Sequence, residues 1–368
     1  MTSTPFYIVF TLITFVGIFE LFFLSRTYKN ASFILILVIL SAFATMRSVG
    51  VGSDDAAYVD IFSKIPSPFE CNGIFCDYNY SDLNVEYGFF LLLSLFSIFG
   101  KSHFLLFGGV ALSAIYLKLK SIKFYTPFFG ASALIYFCYF YLAMELNAIR
   151  FGLASGVIFY AIICFSEKKY WHFWLLYIIA ISLHVSSVLM IIPIILMMFS
   201  PSRFHLLLLS LVVILISTFL DKSKMLSMFN LMDFLSEKGN LYSNADQYNY
   251  VIPLYDPVNL KNMFVSALSL IYYKGLCKRY KYFEITSIFF ISASLVRILL
   301  GDFAILAGRS YAAIAMFDCI IVPMLAVYFV GRLWGFILVL IYAFLLLSLN
   351  IFVNDGWGGG VAYLYDYF

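Results

Sequence analysis

The chain has 368 residues, 63% of them hydrophobic and 12% charged, with a mean hydropathy of +0.96. That much apolar surface excludes a soluble globular domain and points to a polytopic, all-α transmembrane bundle. A formal net charge of +3, scattered along the chain, leaves no electrostatic footprint for nucleic acid.

The first apolar run, Pro5 to Leu24, is long enough to span and lacks a basic n-region; Arg26 and Lys29 follow it, so it reads as a span rather than a cleavable leader. Further runs lie at about 32–46, 86–99, 103–117, 127–144, 149–166, 171–199, 204–220, 259–275, 283–300, 310–330 and 333–352. At ~1.5 Å per residue most of them can cross a ~30 Å hydrocarbon core, but 32–46, 86–99 and 103–117 are short. Two segments stand apart as polar loops, 47–84 with six acidic and two basic residues and 221–258 with five and three. No repeat, low-complexity tract or soluble domain interrupts the pattern, so residues 1–368 read as a single integral membrane domain. The 42 Phe and 28 Tyr exceed what interfacial belts need. Helix packing and lipid contact account for most of them, and a path for an amphipathic substrate is the alternative for the rest.

Basic clusters set the expected orientation. Lys118, Lys120 and Lys123 form one, Lys168 and Lys169 another, and Lys274, Lys278, Arg279 and Lys281 a third. With all three in the cytoplasm, Glu145–Arg150, residues 221–258, Gly301–Arg309 and the tail from Val353 face outside. This holds if 171–199 is a pair of short helices turning near Ser182–Ser187. The N-terminal third resists the rule: crossings at both 86–99 and 103–117 carry Lys118 to the wrong side, so one of those runs is expected to be re-entrant or interfacial. Cys71 and Cys76 lie together in the first polar segment, where a disulfide is expected if it faces an oxidising compartment. The other cysteines, and histidines 103, 172, 184 and 205, show no ligand spacing, so no metal site is expected.

The segment from Arg47 to Phe62, RSVGVGSDDAAYVDIF, gathers an arginine, two glycines, adjacent carboxylates and a tyrosine beside an apolar run. Charge of both signs at a bilayer edge is costly unless it binds something; a plain polar loop is the alternative. Glu86, Glu145, Asn147, Arg150, His184, Arg297, Asp302, Arg309 and Asp318 likewise sit within or beside apolar runs. Each is a functional candidate, with helix-to-helix pairing as the alternative. On the expected topology Arg150, His184, Arg297 and Arg309 share the outer face with Arg47 and Asp54. Several arginines on one side suggest a polyanionic ligand, because the guanidinium fork matches phosphate and never deprotonates. A histidine beside them can take a hydroxyl proton near neutral pH without a metal, although a structural hydrogen-bonding role fits a lone histidine equally.

These residues resemble the EpsG-like Wzy polymerases, which polymerise O-antigen and exopolysaccharide repeat units. The resemblance is carried by Arg47-Ser-Val-Gly-Val-Gly52-Ser-Asp54-Asp-Ala-Ala-Tyr58, with Ser53 where the family has threonine, and by Val85-Glu86-Tyr-Gly88. It continues in Asn147-Ala-Ile-Arg150-Phe151, where the family usually has glutamine after the arginine, in Leu183-His184-Val-Ser-Ser, and in Gly308-Arg309-Ser-Tyr311. The ordered set spans about residues 47–325. It implies a GT-C-like glycosyltransferase fold in the bacterial inner membrane and a periplasmic site working on undecaprenyl-pyrophosphate-linked glycans. Membrane lipids and a chain-length regulator are further implied partners.

A sugar on a lipid pyrophosphate is already activated, so no cofactor is expected, and the chain carries no P-loop or Rossmann fingerprint. On this reading Arg150 and Arg309 hold the pyrophosphate, with Arg47 and Arg297 supporting. His184 is the first choice of base and Asp54 the second. Glu86 and Asp55 orient arginines or sugar hydroxyls, and the motif residues Tyr58, Asn147 and Tyr311 line the substrate. A lipid-linked oligosaccharide flippase and an O-antigen ligase are the rival functions; the flippase should show similar internal halves, and none is visible.

Overall fold

In the computed structural model, residues 4–23, 25–70, 85–219, 251–302 and 304–352 are described, with backbone alone at Arg26, Ile305, Leu306, Arg309 and Ala313. Cys71, Cys76, most of the 221–258 loop and the tail from Val353 lie outside these residues. Every regular element among the described residues is helical. Among the described residues, five helices are long and apolar enough to cross a membrane: Thr4–Phe22, Thr27–Thr45, His103–Tyr125, Ile149–Ser166 and Ala315–Phe352. The chain forms two compact units, one of Met1–Val188 with Ala326–Phe368 and one of Leu189–Leu325.

In the first unit, α1 (Thr4–Phe22), α2 (Arg26–Thr45), α3 (Asp55–Lys64), α4 (Tyr87–Ser97) and α5 (His103–Tyr125) precede a long helix, α6 (Phe129–Met144). The stretch Tyr136–Tyr141 of α6 is wound as a π-helix. Then come α7 (Ile149–Ser166) and α8 (Tyr170–Leu183). Ser25 caps α2 by accepting from the Tyr28 N–H, and Ser102 caps α5 by accepting from Leu105. Glu20, buried near the end of α1, caps a different helix. Its carboxylate accepts from the N–H groups of Phe129 (3.0 Å) and Gly130 (2.6 Å), opening donors of α6. Gly17 and Gly130 let those two backbones touch.

Cross-contacts show which helix ends lie together. Lys123 Nζ donates to Asn30 Oδ1 (2.5 Å), Lys29 Nζ to the Pro127 carbonyl (3.4 Å), and Lys120 Nζ lies 4.6 Å from the Tyr160 ring centroid. The start of α2 and the far ends of α5 and α7 therefore share one basic end, with Lys168 and Lys169 just beyond α7. At the opposite end Arg47, after α2, stacks 3.8 Å from the Phe107 ring of α5 and donates to the Glu145 carbonyl before α7.

Helix α4 stays at that second end. Its flanking Glu86 pairs with Arg150, Ser94 Oγ donates to the Pro66 carbonyl (2.8 Å) and Lys101 Nζ to that of Ser63 (3.0 Å). Eleven residues cover only ~16 Å. The re-entrant or interfacial run expected in the N-terminal third is thus best matched by 87–97.

Two sequence expectations are corrected. Lys118 is not part of a cytoplasmic loop: it is fully buried within α5 and paired with Glu145, which replaces the water its ammonium loses. The run expected at 310–330 also begins earlier, with a helix from Ala304 that carries Arg309.

After α8 the chain breaks at His184, whose backbone is extended, and continues as a 3-10 turn, Val185–Met190. This is the interruption expected near Ser182–Ser187. The second unit holds α9 (Ile191–Met198), α10 (Arg203–Phe219), α11 (Pro257–Ile271), α12 (Tyr273–Arg279), α13 (Phe283–Leu299) and α14 (Ala304–Ile314). Helix α13 is its core and packs on α9, α10, α11 and α14. Its buried Ser292 and Ser294 return their hydroxyls to carbonyls one turn back, so they need no outside partner. The last helix, α15 (Asp318–Phe352), is broken at Gly331, where φ of 81° and ψ of −179° suit only glycine.

Candidate active site

The polar end of the first unit is built on a turn folded against a turn. Arg47 has no exposed surface. Its Nη2 and Nε grip the Asp55 carboxylate at 2.9 and 3.3 Å, and its Nη1 donates to the carbonyls of Ala44 (3.0 Å) and Glu145 (3.2 Å). Asp55, also fully buried, accepts in addition from the Gly52 N–H (2.8 Å). Gly52 is required here: a Cβ would overlap the Leu146 carbonyl oxygen and press on Asn147 Cα. Across this contact Asn147 Oδ1 accepts from Ser53 Oγ (3.0 Å) and from the Asp54 N–H (3.3 Å). The VGSD stretch is thereby fixed to the start of α7.

Above this layer the groups open toward solvent. Asp54 and Ser53 are exposed, and Ser53 Oγ lies 3.3 Å from Asp54 Oδ1. Arg150 Nη1 donates to Glu86 Oε2 at 2.7 Å, with the arginine side chain 21% and the glutamate 13% exposed. The Tyr58 ring lies 5.7 Å from the Arg150 guanidinium carbon; burial pushes its phenol above the usual range, the nearby arginine opposing, so it stays neutral. Glu86 Oε1 accepts from Val185 N (3.4 Å), which ties the Arg150 pair to the break after α8. His184 stands at that break, its ring edge-on to Phe151 at 5.5 Å. Its Nδ1 accepts from the Ser186 N–H at 3.2 Å, which in the neutral ring sets the proton on Nε2. Phe151, where the resembling family usually has glutamine, is thus part of the wall that sets the imidazole.

Eight of the expected site residues therefore meet in one unit: Arg47, Asp54, Asp55, Tyr58, Glu86, Asn147, Arg150 and His184. Arg297 and Tyr311 belong to the second unit. There Arg297 Nη2 pairs with Asp256 (2.9 Å) and its guanidinium carbon sits 5.4 Å from the Tyr311 ring centroid. Tyr311 OH donates to Asn262 Oδ1 (3.1 Å), and Lys261 Nζ reaches Asp318 (2.7 Å). Asp256, Lys261 and Asn262 are not among the residues expected from the sequence, although Lys261 and Asn262 lie at the start of the apolar run 259–275. The Asp256-Pro257 helix start marks them, since Asp256 caps α11 with proline in its first turn. Arg309 lies on α14.

The model of the EpsG family matches residues 30–365. The amylovoran biosynthesis protein AmsC of Erwinia amylovora is 27% identical over 283 residues, covering 76% of this chain and 74% of that protein. No solved structure matches.

Proposed function

The chain belongs to the EpsG family, and on that premise we propose that it is a polysaccharide polymerase, joining lipid-pyrophosphate-linked repeat units of an O-antigen or exopolysaccharide by glycosyl transfer. Its similarity to a protein named for amylovoran biosynthesis supports a role in assembling a surface polysaccharide. A GT-C-like architecture and residence in a bacterial inner membrane belong to the same proposal. The basic end of the first unit, with Lys29, Lys120 and Lys123, is assigned to the cytoplasm by the positive-inside rule, which turns the polar end toward the periplasm.

One observation carries the reading: a partly open arginine, Arg150, shares a patch with an exposed carboxylate and an imidazole donor. In the proposed step the acceptor hydroxyl attacks the anomeric carbon of the donor glycan. The bond from that carbon to the pyrophosphate breaks, and the pyrophosphate leaves with the electron pair. Arg150 steadies it by exchanging Glu86 for phosphate oxygens. His184 Nε2–H suits the same leaving group as a hydrogen-bond donor. Asp54 takes the acceptor proton, because a ring whose Nδ1 already accepts has no lone pair to offer at Nε2. Arg47 and Asp55 hold the turn, while Glu86 and Asn147 orient Arg150 and Asp54. Arg297 is held by Asp256.

The test supplies purified protein in EDTA with undecaprenyl-pyrophosphate repeat units and reads polymer ladders. Ladders from the wild type, falling about 10²–10⁴-fold in Asp54→Asn, support the assignment. Full activity of Asp54→Asn together with loss in His184→Ala returns the base to His184. In a deletion strain, one repeat per lipid core marks lost polymerisation, whereas no O-antigen at all marks a flippase or ligase and overturns the function.

A further inference from the structure

Behind the patch lies a charged pair that the reaction does not use. Lys118 and Glu145 are both fully buried and bonded to each other, and Lys118 Nζ also lies 3.2 Å from Met144 Sδ. Two charges in a membrane bundle cost solvation on both sides, and apolar residues of similar size would hold helices at least as well. Something other than cohesion therefore keeps them there.

Glu145 sits where α6 gives way to the turn before α7, and its own carbonyl accepts from Arg47. Arg47 clamps Asp55, Asp55 holds the Gly52 N–H, and the 52–54 turn is bonded to Asn147. A continuous chain of bonds thus runs from Lys118 in mid-helix to Asp54 at the surface. The helix feeding this turn is pinned from other sides. Asn350 Nδ2, on the last helix, donates to the Cys138 carbonyl (2.7 Å) inside the π segment, and Tyr141 OH donates to the Leu40 carbonyl (2.6 Å). A π-turn changes the phase of everything after it and needs such ties to keep one register.

We propose that Lys118 and Glu145 are positioning residues, a buried pair that fixes the 145–150 turn and so aims Arg150 and Asp54. This rests on the polymerase reading for its activity arm alone. The pair holds geometry, so its loss lowers kcat more than it raises KM, and about 10²-fold is the scale for a misplacement transmitted to reacting groups.

The decisive variant is the double replacement Lys118→Met with Glu145→Gln, which removes both charges at similar size. Expected are a melting temperature at or above wild type, KM unchanged, kcat about 10²-fold lower, and faster amide hydrogen exchange across residues 145–151. Asn350→Leu, which touches neither charge, should give the same signature in weaker form. A folded double variant with wild-type kcat and unchanged exchange overturns the proposal. So does a double variant that fails to fold, since the pair would then serve the bundle itself. If the wild type makes no polymer from the lipid-linked repeat unit, the polymerase reading falls, and the exchange measurement alone judges the positioning role.

Discussion

Two arginine–carboxylate pairs stand at the same end of the first unit and differ in one respect. Arg47 and Asp55 are sealed, with no exposed side-chain surface, whereas Arg150 and Glu86 keep 21% and 13%. Removing one partner of the sealed pair leaves a buried charge without its counter-ion and away from water. In the open pair water covers the loss, and an incoming anion can take the carboxylate's place. The lesson is that residue type and motif membership do not separate a binding arginine from a structural one; the path to water does.

The sharpest way to break this contrast is to remove one carboxylate from each pair. Asp55→Asn should destabilise the protein by about 3–5 kcal/mol, read as a collapse in folded yield and melting temperature of the detergent-solubilised protein. Glu86→Gln should cost no more than about 1 kcal/mol on the same assay. Equal losses would mean the two pairs do the same job. Next in size, Arg150→Lys should keep the fold and lose about 10²–10³-fold in polymer formation, because a point charge replaces a bidentate fork. A fully active Arg150→Lys would move the pyrophosphate elsewhere. The smallest effect falls on the tether between layers. Asn147→Ala removes the acceptor for Ser53 and Asp54 and should cost about 1 kcal/mol. It should also slow turnover more than it weakens substrate binding, which steady-state kinetics would separate.

Much of this was legible in the residues. Apolar runs marked the helices, the ordered polar motifs marked the patch, and the sequence around Ser182–Ser187 marked the break at His184. Shortness alone did not mark 86–99: the runs at 32–46 and 103–117 looked equally short, yet belong to helices of 20 and 23 residues. Lys118 was misplaced because Lys118, Lys120 and Lys123 look alike as a basic run. Their helical phase tells them apart: Phe107, Ala111, Ala114 and Lys118 fall on one buried stripe, while Lys120 and Lys123 point off it. The hydrogen bond that the His184 ring receives had no sequence signal at all, since it depends on the backbone N–H of Ser186 turning back onto the ring. Arg47 was read as a ligand-facing cation for a related reason: nothing local says that Asp55, eight residues on, closes over it.

Glu20 adds a consequence in time rather than in space. The amide groups that its carboxylate grips belong to Phe129 and Gly130, made more than a hundred residues after it. At ribosomal speeds of about 5–20 residues per second, α1 waits about 5–20 s for its partner. During that interval the first helix has no docking site for its acidic end. The first helix can pack on α2 as soon as that is made, through contacts such as Phe6 on Phe43, but its acidic end caps α6 only when Phe129 and Gly130 arrive.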